Sequence, residues 1–247
     1  MTKKINLVLS GGGARGAIHV GIYQYLKENN YEIQEIAGTS VGSLIGCLIA
    51  ADVHPQELIK VMRDSQIKDF LKPDFRSKLA LFNLDKLNKV IESYIPHNSF
   101  EGLNIPFTAC STNLSKNKAQ FFTSGELSDR VEASCSIPLV FSPKQIDGDL
   151  YCDGGLLNNL PVQAISDNGF PIVACHANNY KYEPIHKTGE VINRIVNISV
   201  GNTAKEGMEL ADVLINPFLE HSYSTLDLKD SQELFDIGYG EAQKILG

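Results

Sequence analysis

The chain has 247 residues, and its 22 basic and 29 acidic residues give a net charge of −7 at neutral pH. Hydrophobic residues make up 43% of the sequence and charged residues 21%, which fits a globular protein and excludes collagen-like, low-complexity and disordered classes. The acidic balance and the lack of a block rich in Lys and Arg argue against nucleic acid as a partner. Because single α/β domains reach this length, we expect one domain over residues 1–247.

The cysteines and the apolar runs indicate the compartment. Five cysteines are widely spread and form no CxxC pair, so the sequence predicts neither a disulfide framework nor a zinc site, and it indicates no cofactor. The first apolar run, Ile5–Leu9, is too short for the core of a signal peptide, and the longest uncharged run, Ile36–Ala51, is interrupted by glycines and shorter than a spanning helix. We therefore expect a cytoplasmic protein whose contact with a membrane would be peripheral.

The first fifty residues alternate between strand and helix patterns. Ile5–Leu9 is a short apolar run that ends at a glycine cluster, as a buried parallel strand does, and Arg15–Glu28 has apolar side chains at helical spacing. A second strand is predicted at Ile33–Ala37 and a buried helix at Ser43–Ala51. This order of elements predicts an α/β fold with helices on the faces of a parallel sheet.

Residues 55–100 follow a different pattern, and we interpret them as a helical insertion within the domain. The segment is polar and amphipathic, and no convincing strand separates its predicted helices. Its last helix carries one apolar stripe, formed by Leu84, Leu87, Val90, Ile91 and Tyr94. The stripe fits either packing against the sheet or a lid over a substrate cleft.

Strands and helices return after this insertion. Pro106–Thr112 and Ala119–Thr123 predict a hairpin at the edge of the sheet, joined by a polar turn. Residues 147–152 are predicted to form a loop that begins at the turn former Asp147-Gly148. The other predicted elements are helices at Leu127–Ser134, Val191–Val200 and Gln232–Leu246 and strands at Pro171–Cys175 and Val213–Asn216.

The first of three glycine-bearing turns is Ser10-Gly-Gly-Gly-Ala-Arg-Gly16, between the first strand and the first helix. Gly11, Gly13 and Gly16 satisfy the G-x-G-x-x-G pattern of dinucleotide-binding loops, but the second strand lacks the acidic residue that would hold a ribose hydroxyl. A row of backbone amides at a helix N-terminus favours negative charge, either a phosphate or an oxyanion. A purely structural tight turn is the third interpretation.

The second turn, Gly38-Thr-Ser-Val-Gly42, places Ser40 between a strand and a helix in a G-x-S-x-G pattern. A nucleophilic serine on such a turn requires small neighbours, since the tight backbone leaves no room for side chains on either side. The pattern is short and also occurs by chance, in which case Ser40 would be a helix N-cap. The context of strand, turn and helix favours the nucleophile.

The third turn is Asp153-Gly-Gly155. Asp-Gly pairs form ordinary turns, so a plain turn is one interpretation. Asp147 and Asp149, which precede it, have the acid spacing of a calcium loop, although Tyr151 stands where a third oxygen ligand is expected. The third interpretation is that the carboxylate of Asp153 serves as a base for Ser40.

Histidines decide whether Ser40 would belong to a Ser-Asp-His triad. The chain order of such a triad requires a histidine after Asp153, and the candidates are His176, His186 and His221. His176 follows an apolar strand, where a triad histidine could lie. Against a triad, Ser40 follows only two predicted strands, whereas the α/β-hydrolase topology places several strands before its nucleophile.

With the three turns in this order, the sequence resembles the patatin-like phospholipases, in particular their short bacterial members. The resemblance covers most of the chain and includes three further segments, Ala133-Ser-Cys-Ser-Ile-Pro138, Asn159-Leu-Pro-Val162 and Ala211-Asp-Val-Leu-Ile-Asn-Pro217. Each motif is unspecific by itself, but their order, spacing and placement are specific together.

The resemblance implies a three-layer α/β/α domain with a mainly parallel sheet and a Ser-Asp dyad. Ser40 would be the nucleophile and Asp153 the base. The glycines of their turns would support them: Gly38, Gly42, Gly154 and Gly155. The first loop would form the oxyanion hole with its backbone amides, and its residues are Gly11, Gly12, Gly13, Ala14, Arg15 and Gly16. The implied reaction is calcium-independent hydrolysis of an acyl ester of a lipid or lysolipid, without metal or cofactor.

Two other functions also fit the sequence. The G-x-G-x-x-G loop fits a nucleotide-binding protein, and the same fold without useful turnover fits a lipid-binding protein. Because the net charge is −7 and no polybasic patch is present, contact with a lipid surface would depend on apolar side chains. The candidate segment for this contact is Leu79–Phe82.

Overall fold

The structure, a computed structural model, describes residues 2–64, 72–73, 82–181, 184–221, 223, 225 and 227–247. Of the segment Leu79–Phe82, only the backbone of Phe82 lies within these ranges. The strands are β1 Lys3–Leu9, β2 Tyr31–Thr39, β3 Lys72–Pro73, β4 Phe82–Asn83, β5 Phe107–Asn113, β6 Lys118–Phe122, β7 Lys144–Ile146, β8 Asp149–Asp153, β9 Ile172–Cys175 and β10 Val213–Ile215. The helices are α1 Ala17–Glu28, α2 Val41–Ala50, α3 Pro55–Asp64, α4 Asp85–Tyr94, α5 Leu127–Cys135, α6 Thr188–Thr203, α7 Lys205–Leu210 and α8 Ser231–Leu246.

A mainly parallel sheet forms the centre of the fold. Its strand order is β10-β9-β1-β2-β5-β8-β7, and β6 also pairs with β5. The strands β10, β9, β1, β2 and β5 are parallel to their neighbours along this series, whereas β6, β7 and β8 pair antiparallel. No helix in the described ranges is both long enough and apolar enough to cross a membrane.

The central strand β1 packs apolar side chains on both faces of the sheet. Ile5, Leu7 and Leu9 lie in the large core with residues of α1, α2 and α8, whereas Val8 packs on the opposite face with Leu160. Burial on both faces explains why β1 is a nearly continuous apolar run rather than an alternating one. The predicted three-layer α/β/α architecture is confirmed.

The elements predicted from local patterns are confirmed with small differences in their bounds. The first strand is β1, and the second, β2, is two residues longer at each end than the predicted Ile33–Ala37. The first predicted helix begins with a 3-10 turn at Gly13–Gly16, which leads into α1. The predicted hairpin is formed by β5 and β6, and β6 lies at an edge because it pairs with β5 alone among the described strands.

Residues 147–152 are not a loop, and this prediction is wrong. Asp149–Asp153 is strand β8, which pairs antiparallel with β7 and with β5. The positive φ angles of Asp147 and Gly148, 50° and 86°, close the two-residue turn between β7 and β8. Asp-Gly favours such hairpin turns because both central residues need positive φ. The Asp147-Gly148 pair therefore joins strands β7 and β8. Strand β8 also pairs with β5, which is distant from it in sequence.

Residues 55–100 contain α3 and α4 and also the short antiparallel pair β3 and β4, which the sequence did not predict. Leu84, Leu87 and Ile91 of the apolar stripe are buried in the large core. Leu84, Leu87 and Val90 also line a cavity beside α2. The stripe therefore packs on the core and forms part of a cavity wall at the same time.

Candidate active site

Two strands meet along one edge of β5 and bring Ser40 close to Asp153. Thr39, the last residue of β2, pairs with Cys110, while Asp153, the last residue of β8, pairs with the next residue of β5, Ser111. The opposite edge of β5 is occupied by β6. Because β2 and β8 approach each other from opposite directions, the residue after Thr39 lies next to the end of β8.

The backbone at Ser40 has a conformation that non-glycine residues rarely adopt. Its φ is 55° and its ψ is −127°, at the sharp turn between β2 and α2. A Cβ atom at Gly38 would clash with the carbonyl group of Gly42, and one at Gly42 would clash with the carbonyls of Leu9 and Ser10. Both positions therefore require glycine for the turn to pack against the end of β1.

Side-chain hydrogen bonds hold this turn in place. The backbone amide of Ser40 donates to Ser134 Oγ at 2.8 Å, and the Ser134 hydroxyl donates to the carbonyl of Cys110 at 2.5 Å. The Thr39 hydroxyl donates to the carbonyl of Asn158 at 2.9 Å. The turn is thus tied to β5 and to the segment after β8, which limits the positions that Ser40 can take.

Asp153 is a buried carboxylate that contacts the candidate nucleophile. Its side chain accepts a hydrogen bond from the Gly155 amide at 2.8 Å. Burial raises the pKa of Asp153 to about 6, and interactions with the Ser40 hydroxyl and the Gly155 amide partly oppose this rise. The carboxylate is therefore ionised at neutral pH but is a stronger base than an exposed aspartate.

The amides of the glycine-rich loop fall into two groups. Three of them donate to protein carbonyls: Gly11 to Asn159 at 3.3 Å, Ala14 to Thr225 at 2.8 Å and Arg15 to Gly12 at 3.3 Å. The amides of Gly12 and Gly13 have no acceptor among the described residues. Gly13 has a φ of 59° and no room for a side chain, because a Cβ would clash with the Thr225 carbonyl. Gly16 packs closely on Val41 of α2.

The side chain of Arg15 is buried and braces this loop. It donates to Asn178 Oδ1 at 2.8 and 3.2 Å and to the Tyr223 carbonyl at 3.0 Å, and it lies 4.9 Å from the ring centre of Tyr180. Asn178 in turn donates to the carbonyl of Gly11 at 2.6 Å. The guanidinium therefore holds the glycine-rich loop in place through these contacts.

Ser40 lines two cavities, and the lining of one is more apolar than that of the other. The first has a volume of about 150 Å³ and is lined almost entirely by apolar side chains of α2, α3, α4 and α5 and of the loop that contains Phe141. The second, of about 100 Å³, is more polar, and its wall includes Asp153 and the carboxamides of Asn159, Asn178 and Asn197. Gly13 borders both cavities together with Ser40.

His176 does not complete a triad. It is buried, its Nδ1 lies 3.0 Å from Asn216 Oδ1, and no hydrogen bond to Ser40 or Asp153 is formed. Burial lowers the pKa of His176 to about 4, so the ring is neutral near pH 7. His176 thus does not lie between Ser40 and Asp153, as the histidine of a Ser-Asp-His triad lies between the two other residues.

The acids considered for a calcium loop belong to the β7–β8 hairpin. Asp149 accepts from Lys116 Nζ at 2.5 Å and from Asn113 Nδ2 at 3.0 Å, while a carboxylate oxygen of Asp147 lies 3.7 Å from Arg130. The two carboxylates thus contact separate cations. In the ranges that the structure describes, no three His, Cys, Asp or Glu side chains are grouped as metal ligands.

Sequence reasoning assigned no role to Ser134, Asn159 or Asn178. Ser134 and Asn159 lie within segments that carried the family resemblance, so the signal was present without a function attached to it. Asn178 has no motif of its own, and only the folded chain brings it to Arg15. These contacts join residues far apart in sequence, and a local pattern does not reveal them.

Several known proteins are similar to this chain in sequence. A family model described as patatin-like phospholipase matches residues 7–165. An uncharacterised NTE family protein of Mycobacterium tuberculosis is 32% identical over 201 residues, which cover 78% of this chain and 56% of that protein. A lysophospholipase NTE1 of Kluyveromyces lactis is 27% identical in an alignment of 283 positions. This alignment covers 98% of this chain and 19% of that protein. The chain thus spans little more than half the length of its mycobacterial relative.

A solved structure shows the same fold. The crystal structure of VipD from Legionella pneumophila matches with a TM-score of 0.57 and 14% sequence identity, over 99% of this chain and 66% of that one. At this level of identity the match concerns the arrangement of strands and helices.

Proposed function

This chain belongs to the patatin-like phospholipase family, and on that premise we propose that it hydrolyses a carboxylic ester of a lipid through an acyl-enzyme on Ser40. The observation that carries the proposal is the position of Ser40 beside the buried carboxylate of Asp153, in one cavity, where the serine hydroxyl stabilises the charged form of the carboxylate. A serine is a weak nucleophile unless an adjacent base accepts its proton. The raised pKa of Asp153 supports this role, because the carboxylate is a better proton acceptor than an exposed one.

The proposed reaction has two steps. In the first, Ser40 Oγ transfers its proton to Asp153 and attacks the ester carbonyl, and the protonated Asp153 then gives the proton to the departing alcohol. In the second, Asp153 takes a proton from water, which attacks the acyl-serine. Asp153 then returns this proton to Ser40 Oγ as the acyl–oxygen bond breaks and the carboxylic acid is released. Asp153 is an acid and a base in turn, so no metal is required, and we propose that the reaction is independent of calcium.

The oxyanion of each tetrahedral intermediate needs fixed donors near Ser40. Of the predicted loop residues Gly11 to Gly16, we assign this role to the amides of Gly12 and Gly13, since the protein itself uses those of Gly11, Ala14 and Arg15. One such donor typically contributes on the order of 10²- to 10³-fold in rate. The buried Arg15 keeps the two amides in position.

The two cavities suggest how an ester would lie across Ser40. The first cavity fits the acyl chain, and the second, which is also mainly apolar but contains Asp153 and three asparagines, fits the alcohol or head-group side. The name of the yeast relative, a lysophospholipase, agrees with a lysolipid as one substrate. All five cysteines are free and buried, which supports a reducing, cytoplasmic location.

Ester hydrolysis by the purified protein is the direct test. We expect turnover of p-nitrophenyl butyrate and of lysophosphatidylcholine in the presence of EDTA, and loss of turnover in Ser40→Ala and in Asp153→Asn. Circular dichroism of both variants controls for folding. Turnover that persists in folded Ser40→Ala would refute the mechanism.

Labelling by a fluorophosphonate separates this proposal from a lipid-binding protein without turnover. An activated serine forms a covalent bond with the probe, whereas an unactivated one does not. We expect mass spectrometry to locate the label on Ser40 and to find none in Asp153→Asn. Micromolar binding of NAD or ATP in calorimetry, without labelling, would instead favour the nucleotide-binding interpretation of the first loop.

A further inference from the structure

The cavity that contains Asp153 also contains a buried asparagine without a hydrogen-bond partner. Asn159 is 1% exposed and lines this cavity together with Ser40 and Asp153. Neither its Nδ2 nor its Oδ1 is bonded to another group in the described part of the chain. Buried carboxamides are nearly always hydrogen-bonded, so one that faces a cavity without a partner indicates a ligand group as its partner.

The backbone of Asn159 is held firmly beside both halves of the site. Its carbonyl accepts a hydrogen bond from the Gly11 amide at 3.3 Å, and the preceding carbonyl, that of Asn158, accepts from the Thr39 hydroxyl at 2.9 Å. These bonds tie the segment to the glycine-rich loop and to the end of β2. The side chain is therefore positioned by its backbone, while its polar atoms are not used by the protein.

The end of this side chain lies close to the atoms that would react. A Cβ atom built on Gly11 would lie 2.5 Å from Asn159 Oδ1 and 3.1 Å from Ser40 Cβ, and one on Gly155 would lie 3.2 Å from the same Oδ1 and 3.0 Å from Asp153 Oδ1. The carboxamide is thus only a few ångströms from both members of the dyad. A half-turn about its last bond exchanges Oδ1 and Nδ2, and no protein hydrogen bond opposes the exchange.

We propose that Nδ2 of Asn159 donates a hydrogen bond to the substrate carbonyl oxygen as it becomes the oxyanion, beside the amides of Gly12 and Gly13. The role rests on the proposed ester hydrolysis. When Ser40 Oγ bonds to the carbonyl carbon, the electron pair of the C=O π bond moves onto the oxygen, and Asn159 stabilises that charge without transferring a proton. A buried, fixed donor is effective because the surroundings screen it weakly.

Replacement of this side chain tests the role. In the full-length chain with Asn159→Ala we expect kcat for p-nitrophenyl butyrate to fall on the order of 10²- to 10³-fold, with little change in KM. The melting temperature should fall little, because the side chain forms no hydrogen bond with the described residues. A kcat within about threefold of the wild-type value would overturn the proposal.

Asn6 provides a matched control. It is also 1% exposed, but it lies in the middle of β1, and its Nδ2 donates to Asn168 Oδ1 at 2.8 Å and to the Phe170 carbonyl at 3.1 Å. We expect Asn6→Ala to lower the melting temperature and to leave kcat unchanged. This is the reverse of the pattern expected for Asn159→Ala. Opposite results for the two variants would exclude a general effect of removing a buried carboxamide.

Two further readouts separate a donor from a residue that acts through Asp153. The pH at which kcat/KM is half-maximal should be the same in Asn159→Ala as in the wild type, and a shifted midpoint with recovery of kcat at high pH would overturn the donor role. The nearly isosteric Asn159→Asp places a negative oxygen where the oxyanion forms, so it should lose more activity than Asn159→Ala. Retained activity in Asn159→Asp would also overturn it.

The proposed hydrolysis and the donor role of Asn159 can be refuted separately. Turnover in folded Ser40→Ala, or absence of turnover and of labelling in the wild-type protein, refutes the reaction and the donor role with it. Wild-type turnover that depends on Ser40 and is unaffected by Asn159→Ala refutes the donor role alone.

Discussion

At the scale of single residues, Ser40 combines backbone strain with its proposed chemistry. Its φ of 55° and ψ of −127° are favoured by glycine and unfavourable for a residue with a Cβ atom. The amide of Ser40 donates to Ser134, and its hydroxyl lies near the carboxylate of Asp153 and lowers the pKa of that group. The fold therefore tolerates local strain to direct the hydroxyl at the carboxylate.

This strain predicts a difference between two inactive variants. Ser40→Gly removes the Cβ atom and the strain with it, whereas Ser40→Ala keeps both. We expect urea unfolding to show Ser40→Gly more stable than Ser40→Ala by about 1 kcal/mol, after the greater chain entropy of glycine is taken into account. Equal stability of the two variants would mean that the turn is relaxed.

The carboxyl of Asp153 predicts the pH dependence of the reaction. Its pKa in the folded protein is about 6, and the base must be ionised to accept the proton of Ser40. We expect kcat/KM for a neutral ester to be constant above pH 7 and to fall with decreasing pH, with a midpoint near 6. A midpoint near pH 4 would show that burial does not raise this pKa.

The same carboxyl predicts a pH-dependent stability difference. Its pKa rises from 3.8 to about 6 on folding, so its contribution to stability is fully present below pH 3.8 and is lost as the pH rises through 6. Asparagine does not ionise, so Asp153→Asn does not lose stability as the pH rises. It should be more stable than the wild type at pH 7.5 by about 3 kcal/mol. Thermal unfolding should show the difference vanishing near pH 3.5. A less stable Asp153→Asn at pH 7.5 would contradict this.

At the scale of elements, the site depends on the close approach of α2 to the end of β1. A Cβ at Gly42 would clash with the carbonyls of Leu9 and Ser10, and backbone atoms in a central strand cannot move aside. Helix α2 would have to shift and carry Ser40 away from the glycine-rich loop. Packing between two elements therefore sets the distance between the nucleophile and its oxyanion donors.

We expect Gly42→Ala to lower both the free energy of unfolding and kcat. Gly240→Ala in α8 is the control, because nothing lies within 4 Å of an added Cβ and alanine favours a helix by up to about 1 kcal/mol. Chemical unfolding and ester hydrolysis measure the two effects. Wild-type kcat in Gly42→Ala would show that the helix adjusts without moving Ser40.

At the scale of the whole molecule, the net charge of −7 does not favour attraction to anionic lipid. Leu139 lines the cavity that contains Asp153 and is 70% exposed, and Ile198 of α6, next in sequence to the cavity residue Asn197, is 51% exposed. We propose that these exposed apolar side chains contact a lipid surface. Contact of this kind is peripheral and depends little on salt.

Leu139→Asn tests this contact. Leu139 has a φ of 70°, which asparagine tolerates, so the change removes apolar surface without adding backbone strain. We expect weaker flotation with phosphatidylcholine vesicles, slower hydrolysis of vesicle lipid and unchanged hydrolysis of p-nitrophenyl butyrate. Leu114→Asn, at an exposed position outside both cavities, should change none of these. Equal flotation of both variants would place the contact elsewhere.

The sequence by itself determined most of the strands and helices and the residues at their turns, but not the strands β3, β4, β7 and β8. Those features are local, since they depend on apolar periodicity and on the backbone preferences of glycine and aspartate. The family motifs added Ser40 and Asp153 as candidates. The hairpin turn at Asp147 was misread as the start of a loop, because strand pairing with β5 involves residues far away in the chain.

Only the tertiary structure decided how these parts meet. Pairing of both β2 and β8 with one edge of β5 brings Ser40 to Asp153, and burial in the fold raises the pKa of that carboxyl. The same packing uses some amides of the glycine-rich loop, whereas the amides of Gly12 and Gly13 and the side chain of Asn159, which lines the cavity, have no hydrogen-bond partner among the described residues. Each of these properties depends on distances between segments that are remote in sequence, which local patterns do not encode.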